Sequence, residues 1–493
     1  MLADHGGIRI FRFSPASDST SMHTVIRARI FVIVTSTAVR RTMRSCAPVI
    51  QIRGTMSMHG TFSPSLADQT RLPRRRHAVA TAILGNAFEW FDFTLYGFFA
   101  PVIATVLFPS TNPFTALLLA IATFGVGFVT RPLGGIVLGI YADRRGRRPA
   151  LALSALLMAL GTALIAIAPT YAQAGIAAPL IAVAARLLQG FSAGGEMGGA
   201  TAYLNEIAPP GRRAFYTSWI QASVGLAIVC GAMLGSLATS LLDAEALRAW
   251  GWRIPFALGV LIGPIGYVIR SRLDETPAFT KATANARTNS PFLEVVKRHR
   301  REVLISASIV VMWTVCTYVL LFYMQTYAIH VLKLPASTGF AGSMASGVTM
   351  MLTAPLFGWL ADRWGYKRVL SGAALSILAL AYPLYSYLNH APGAGSLICV
   401  QIVFGLLSAA YTGPIPAAFA DLFPTRVLST GLSTAYNLTV MLIGGFAPFY
   451  LTFLSHTFDP MLAPVVYVMV AAFVSFTGTL WLRPASNSGM ATQ

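Results

Sequence analysis

The stretch "GIYADRRGRRPAL", residues 139–151, is met again as "GWLADRWGYKRVL", residues 358–370. Each copy sets a glycine, then Ala-Asp-Arg, then a second glycine and basic residues at the same spacing, and each closes one long apolar run just before another. A phrase repeated so far along a chain marks an internal duplication. A second pair agrees with it. "YLNEIAPPGRR" begins at Tyr203 and "AFADLFPTR" at Ala418, which sets Glu206 opposite Asp421 and Pro209 opposite Pro424.

The runs around these phrases are membrane-length. Of 493 residues, 55% are hydrophobic and 11% charged, and the mean hydropathy is +0.64, outside the balance of soluble domains. Apolar segments of roughly 20 residues or more, enough to cross the hydrocarbon core, fall near 79–107, 115–141, 149–168, 175–199, 214–240, 252–270, 303–330, 338–361, 367–388, 395–419, 427–453 and 461–482. Arginines cluster after the second, fourth, sixth and eighth of these, whereas the alternate loops carry almost no positive charge beyond Lys333. Positive loops stay inside, so those clusters and both termini are expected on the cytoplasmic side of a multi-pass membrane protein.

The longest polar stretch, 271–302, reads as a cytoplasmic linker between an N-terminal half, 77–270, and a C-terminal half, 303–484. The expected fold is an all-α membrane protein with twelve transmembrane helices in two pseudo-symmetric six-helix bundles. Such parallel repeats place a substrate site near the midplane between the halves. Residues 1–76 fall outside this plan. "IFVIVTSTAV" is too short to span and is flanked by arginines, so the segment reads as a disordered basic extension, with Met56 or Met58 a candidate start; 485–493 reads as a disordered tail.

The net charge of +19 would suit nucleic acid, but the positive residues lie in short clusters between spans rather than along one polar face, so no nucleic-acid partner is expected. Cys46, Cys230, Cys316 and Cys399 lack the paired spacing of a metal site or disulfide framework, so neither metal nor cofactor is expected. The chain has no Gly-x-x-x-x-Gly-Lys-Ser/Thr loop, so ATP is not the direct energy source. The expectation is a lipid-embedded, monomeric carrier rather than an enzyme, driven by an ion gradient or by its substrate's own.

Charges inside the spans point to chemistry. A charge near the bilayer centre costs about 2 to 4 kcal/mol on insertion scales, so it is retained for a use or paired with another. "GNAFEWFDF" (85–93) holds Glu89 and Asp92, with Asn86 just upstream and Tyr96 one turn beyond Asp92. Asp92 lies about sixteen residues past Arg76, roughly 24 Å along a helix, too deep to snorkel easily. "GFVTRPLGG" (127–135) holds Arg131, and "RLLQGFSAGGEMGGA" (186–200) holds Arg186, Gln189 and Glu196 among glycines that admit a close neighbour. The arginines could neutralise an anionic substrate or pair with the carboxylates as structural ion pairs. Glu89, Asp92 and Glu196 are the candidates for carrying a proton. In the second half Tyr323, Gln325 and Asn437 are candidate hydrogen-bond donors to a carboxylate, although tyrosines near span ends also serve as interfacial anchors.

The repeated phrase resembles the loop signature of the major facilitator superfamily, matched by Gly139, Asp143, Arg144, Gly146, Arg147 and Arg148, then by Gly358, Asp362, Arg363, Gly365, Lys367 and Arg368. Arg186-x-x-Gln189-Gly190 resembles that superfamily's fourth helix. The resemblance implies the major facilitator fold, with the aspartates and basic residues acting as a gate latch. "GNAFEWFDFTLYGFFA", "EIAPPGRRAFYTSW" and "DETPAF" are similar to the metabolite:proton symporter branch, and "TFGVGFVTRPLGGIVLG" to its citrate and tricarboxylate carriers. This implies proton-coupled symport of a small carboxylate by alternating access, with 2-oxoglutarate, shikimate, proline or betaine as alternative substrates. A drug:proton antiporter of the same fold is disfavoured: the fifth span lacks a Gly-Pro pair, and cavity arginines would repel cations.

Overall fold

A computed structural model describes residues 66–108, 110, 112–271, 291–424 and 427–482. Twelve helices in it are long and apolar enough to cross a membrane. They are α1 (Val79–Leu107), α2 (Pro113–Ala142), α3 (Arg148–Ala166), α4 (Ala177–Ile207), α5 (Arg213–Leu241), α6 (Ala244–Val268), α7 (Arg300–His330), α8 (Ala336–Trp364), α9 (Tyr366–His390), α10 (Ala394–Ala420), α11 (Thr430–Thr457) and α12 (Leu462–Leu480). Each matches one expected apolar segment. Hydrocarbon offers backbone groups no partner, so each run closes its own hydrogen bonds as a helix.

Three boundaries differ from expectation. The α1 helix runs back to Leu66, so residues 66–76 of the expected extension are helical. Ala, Leu, Gln and Arg extend a helix at little cost once a span has nucleated it, and the helix continues through Pro73 although proline cannot make the intrahelical hydrogen bond. Helix α6 starts earlier than expected because Asp243 caps it, accepting the Ala246 N–H at 2.7 Å, and the chain then widens into a π turn over Leu247–Gly251. Within the expected linker, Pro291–Arg298 forms a short helix that buries Val295. Residues 1–65, 272–290 and the expected tail lie outside the described residues.

The duplicated phrase folds the same way twice. Gly146 and Gly365 adopt φ of 116° and 86°, where a side chain would be strained, and each turns its N–H back to the preceding helix, onto the Ala142 and Ala361 carbonyls at 3.0 and 2.9 Å. The first glycine of each copy lies against the other half. A Cβ at Gly358 would overlap Ser218 and the Ala214 carbonyl of α5, while Gly139 faces Thr430 at the start of α11. The halves are therefore joined by two equivalent crossings, α8 on α5 and α2 on α11.

At the arginine-rich end the Asp362 carboxylate accepts the N–H groups of Ala214 and Phe215, both at 2.9 Å. One half thus caps the α5 N-terminus of the other, using two donors that no intrahelical bond can satisfy. Beside it Arg213 pairs with Asp421 at 3.1 Å, but both are well exposed, at 51% and 40%. Burial raises the Asp421 carboxyl above its ordinary range while Arg213 pulls it down. Such a pair contributes under about 1 kcal/mol, so the cap dominates the latch. Arg363 lies over Trp359 at 4.0 Å and Lys367 donates to the Leu480 carbonyl at 2.6 Å, so these contacts stay within the C-terminal half. Arg144 lies on the exposed rim, and the side chains of Asp143 and Arg147 fall outside the described ones. At the opposite end Phe114 stacks on His456 at 3.9 Å and Phe98 meets Phe340 edge-on at 5.9 Å. The halves touch at both ends, which makes this a closed conformer.

Asp362→Ala is expected to destabilise the closed arginine-rich end by about 1–2 kcal/mol, the cost of a lost cap. A cysteine replacing Ser218, buried under Gly358, would then react faster with an impermeant maleimide; labelling unchanged from the parent would refute the cap's role.

Candidate functional site

The two buried arginines lie side by side because α2 and α4 cross with their backbones in contact. Cβ atoms at Gly190 and Gly134 would overlap the carbonyls of Gly127 and Phe191, so only glycine permits the approach. Arg186 is fully buried and Arg131 is 2% exposed. Their guanidinium groups stack on a shared aromatic floor: Arg186 lies over Tyr96, Phe93 and Phe124 at 4.4, 5.0 and 5.1 Å, and Arg131 over Phe93 and Phe128 at 4.8 Å each. Ring faces attract cations in a desolvated setting without using their N–H donors.

Those donors are only partly used. Arg186 Nη1 donates to Gln189 Oε1 at 2.7 Å, while its Nε and Nη2 have no hydrogen-bond partner. Gln189 Nε2 donates to the Thr162 hydroxyl at 2.9 Å, and Thr162 donates to Asp92 Oδ2 at 2.7 Å. An unbroken hydrogen-bonded chain therefore links Arg186 to Asp92 across α4, α3 and α1. Asp92 Oδ1 remains without a partner. Arg131 Nη2 stands 3.9 Å from Glu89 Oε1, an ion pair too long to be a hydrogen bond, and Glu89 Oε2 and Arg131 Nε are unpaired.

Arg131 also reaches the second half. Its Nη1 donates to the Tyr318 hydroxyl on α7 at 3.2 Å, and Tyr436 of α11 stands beside the same guanidinium. Tyr318 lies within a π-widened stretch, Cys316–Tyr323, a distortion that re-aims side chains and recurs at functional sites. Asn437 crosses too, donating to the Gly194 carbonyl of α4 at 2.6 Å.

The structure thus gathers Glu89, Asp92, Tyr96, Arg131, Arg186 and Gln189 in one cluster, with Asn437 at the junction of the halves. Other sequence candidates lie apart. Asn86 is spent on helix packing, donating to the Ile220 carbonyl and Ser223 hydroxyl of α5 at 3.2 and 2.7 Å. Tyr323 shares a hydrogen bond with Ser455 of α11 at 3.2 Å, beyond Tyr318 along α7, and Gln325 packs beneath Gly339 of α8. Glu196 is buried ten residues beyond Arg186, roughly 15 Å away along α4. Sequence reasoning passed over Thr162, an ordinary residue in an apolar span, and did not rank Tyr318 or Tyr436 above other tyrosines.

Twelve spans in two repeated halves, meeting over a buried charge cluster, define a polytopic membrane protein of the two-bundle class. The sequence pattern of the Major Facilitator Superfamily matches residues 82–448, and the chain belongs to that superfamily. It is 38% identical to a citrate-proton symporter of Salmonella typhi, over 82% of this chain and 93% of the relative. A citrate-proton symporter of Klebsiella pneumoniae is 36% identical over 84% and 93%, and a proline/betaine transporter of Escherichia coli (strain K12) 31% over 84% of each. The fold is similar to that of the proton:xylose symporter XylE bound to 6-bromo-6-deoxy-D-glucose, with a TM-score of 0.69 at 15% identity, covering 84% of this chain and 97% of that one.

Thr162→Val, which keeps the shape but removes the hydroxyl, strands Asp92 and Gln189. It is expected to lower stability by about 1–3 kcal/mol in thermal unfolding, with Thr162→Ser close to wild type; equal melting of the valine variant and wild type would contradict the chain of hydrogen bonds.

Proposed function

We propose that this protein is a proton-coupled symporter of a small organic carboxylate, citrate or a related tricarboxylate, working by alternating access as a monomer in the bacterial inner membrane with both termini cytoplasmic. The observation that carries the reading is the hydrogen-bonded chain from Asp92 through Thr162 and Gln189 to Arg186. It ties a proton-accepting carboxylate to a guanidinium that still has unfilled donors. The substrate class rests on those donors and on the two citrate-proton relatives.

Charge neutrality supplies the coupling. Arg131 and Arg186 balance Glu89 and Asp92 in a site that water does not screen. An incoming carboxylate would leave that set with an excess negative charge, costly at low dielectric. A proton on Asp92 removes one unit of that excess and weakens the hold that Thr162 and Gln189 have on Arg186, so its fork can turn to the anion. Proton and anion thus stabilise the same closed state, and each raises the affinity for the other. With the site filled, the Asp362 cap and the aromatic contacts at the far end exchange as closed gates. Arg131, held by Tyr318 of the opposite half, reports occupancy from one bundle to the other.

A zwitterion such as proline or betaine is the second reading, favoured by the proline/betaine relatives. A thermal-shift screen of citrate, tricarballylate, succinate, 2-oxoglutarate, shikimate, proline and betaine separates the two: stabilisation by citrate is expected, and a response confined to zwitterions would displace the carboxylate. Asp92→Asn is expected to abolish accumulation driven by a proton gradient while sparing exchange of internal for external substrate; full accumulation by this variant would contradict the assignment. Arg186→Gln is expected to weaken substrate binding by about tenfold to a hundredfold, the worth of a charge-assisted pair.

A further inference from the structure

A narrow crevice of about 30 Å³ lies between α1, α3 and α6, inside the N-terminal half and apart from the junction with the C-terminal half. Its walls include Glu89 and Asp92 on α1 and Gly259 and Gly266 on α6. Two observations give it chemistry. The unpartnered Asp92 Oδ1 points at Gly259, where a Cβ would come within 2.8 Å, and the other unpartnered carboxylate oxygen, Glu89 Oε2, belongs to the residue one turn nearer the arginine-rich end. Both side chains are 5% exposed. Buried carboxylate oxygens without protein partners are where ordered water is found, and this volume holds one or two molecules.

The crevice also has a direction. Gly85 and Phe88 on α1, and Gly266 two residues before the end of α6, place its far end toward the arginine-rich face, roughly 10 Å along α1 from Asp92. A single file of water and one carboxylate can pass a proton over such a distance, whereas a tricarboxylate cannot enter. Thr162 of α3, Arg131 of α2 and Arg186 of α4 are the polar groups that act on these two acids from neighbouring helices; the α6 wall brings glycine and apolar side chains alone.

We infer that this crevice is the path by which protons pass between Asp92 and the arginine-rich face, with Glu89 as the intermediate station, separate from the path of the substrate. The inference rests on the symport reading above and deepens it. In the closed conformer the Asp362 cap seals the route between the halves, so a private path gives the proton an exit toward the arginine-rich face that the substrate does not share. No bond other than O–H is made or broken: the proton moves from Asp92 to water, to Glu89, and onward, leaving Asp92 as the carboxylate and Glu89 and the water as they were.

Gly266 gives the test, because a Cβ there meets Phe88 at 3.4 Å, an ordinary contact, so Gly266→Ala fits while Gly266→Leu fills the mouth. In proteoliposomes, Gly266→Leu is expected to slow citrate uptake driven by a pH gradient about tenfold, the cost of losing one water-mediated link. Counterflow of citrate, which needs no net proton movement, stays near wild type, and Gly266→Ala resembles wild type in both. Net uptake by Gly266→Leu at the wild-type rate, or an equal fall in uptake and counterflow, would overturn the path. A second measurement does not depend on the substrate. Hydrogen–deuterium exchange of the Asp92 carboxylic acid band at acid pH, identified by its loss in Asp92→Asn, is expected to be slower in Gly266→Leu; an unchanged exchange rate would likewise overturn it. Wild-type protein with no proton-dependent uptake of any screened solute would instead defeat the symport reading and leave the exchange measurement to judge the crevice alone.

Discussion

Hydrocarbon does not tolerate an unbalanced charge, and that constraint organises the centre of this molecule. Two arginines and two carboxylates sit among buried aromatic rings, and each depends on the others for its presence there. The aromatic faces lower the cost for the guanidinium groups, the Thr162–Gln189 link ties Asp92 to Arg186, and the glycine crossing of α2 and α4 brings the two arginines together. A neutral set of this kind has one economical response to a new anion, which is to take up a proton with it. The same balance that permits the cluster to exist makes it sensitive to its ligands.

Alternating access requires the scaffold around the cluster to have two arrangements. Its halves are tied by repeated local devices: the phrase at Gly139 and Gly358 places equivalent helices against the opposite half, and Asp362 caps α5 across the junction. The Asp362 cap lies at a helix end and involves few residues, whereas α8 packs on α5 along its length, from Gly358 on Ser218 through Gly347 on Gly225 to Phe340 on Gly235. The central contacts, Arg131 with Tyr318 and Asn437 with Gly194, are the ones that can relay the state of the cluster between halves. Glycines interlock helices within a half, as at Gly190 on Gly127, and between the halves, as at Gly225 on Gly347.

Much of this was legible in the sequence, for identifiable reasons. The twelve spans stand out because a membrane helix has a length and composition few other segments share, and the duplication shows because Asp and Gly recur at fixed spacing, as the matched positive φ of Gly146 and Gly365 demands. Asp92, Arg131 and Arg186 are conspicuous as charges where none belong. Thr162 was not legible, since a threonine in an apolar span satisfies its own backbone as readily as it bridges two helices. Asn86 and Tyr323 show the complementary failure: spacing along one helix fixes the face a residue occupies, but which helix packs on that face is decided by the whole bundle. The backward growth of α1 to Leu66 was missed because a run of arginines reads as a boundary, although each is a good helix former.

The central claim is that anion and proton bind cooperatively and cross together. Its most direct measurement is the equilibrium distribution of labelled citrate across proteoliposomes containing purified protein, taken over a series of imposed pH gradients with the membrane potential clamped. The account predicts a distribution that steepens with each increment of the gradient and collapses when a protonophore removes it. A distribution that stays the same at every gradient would contradict it.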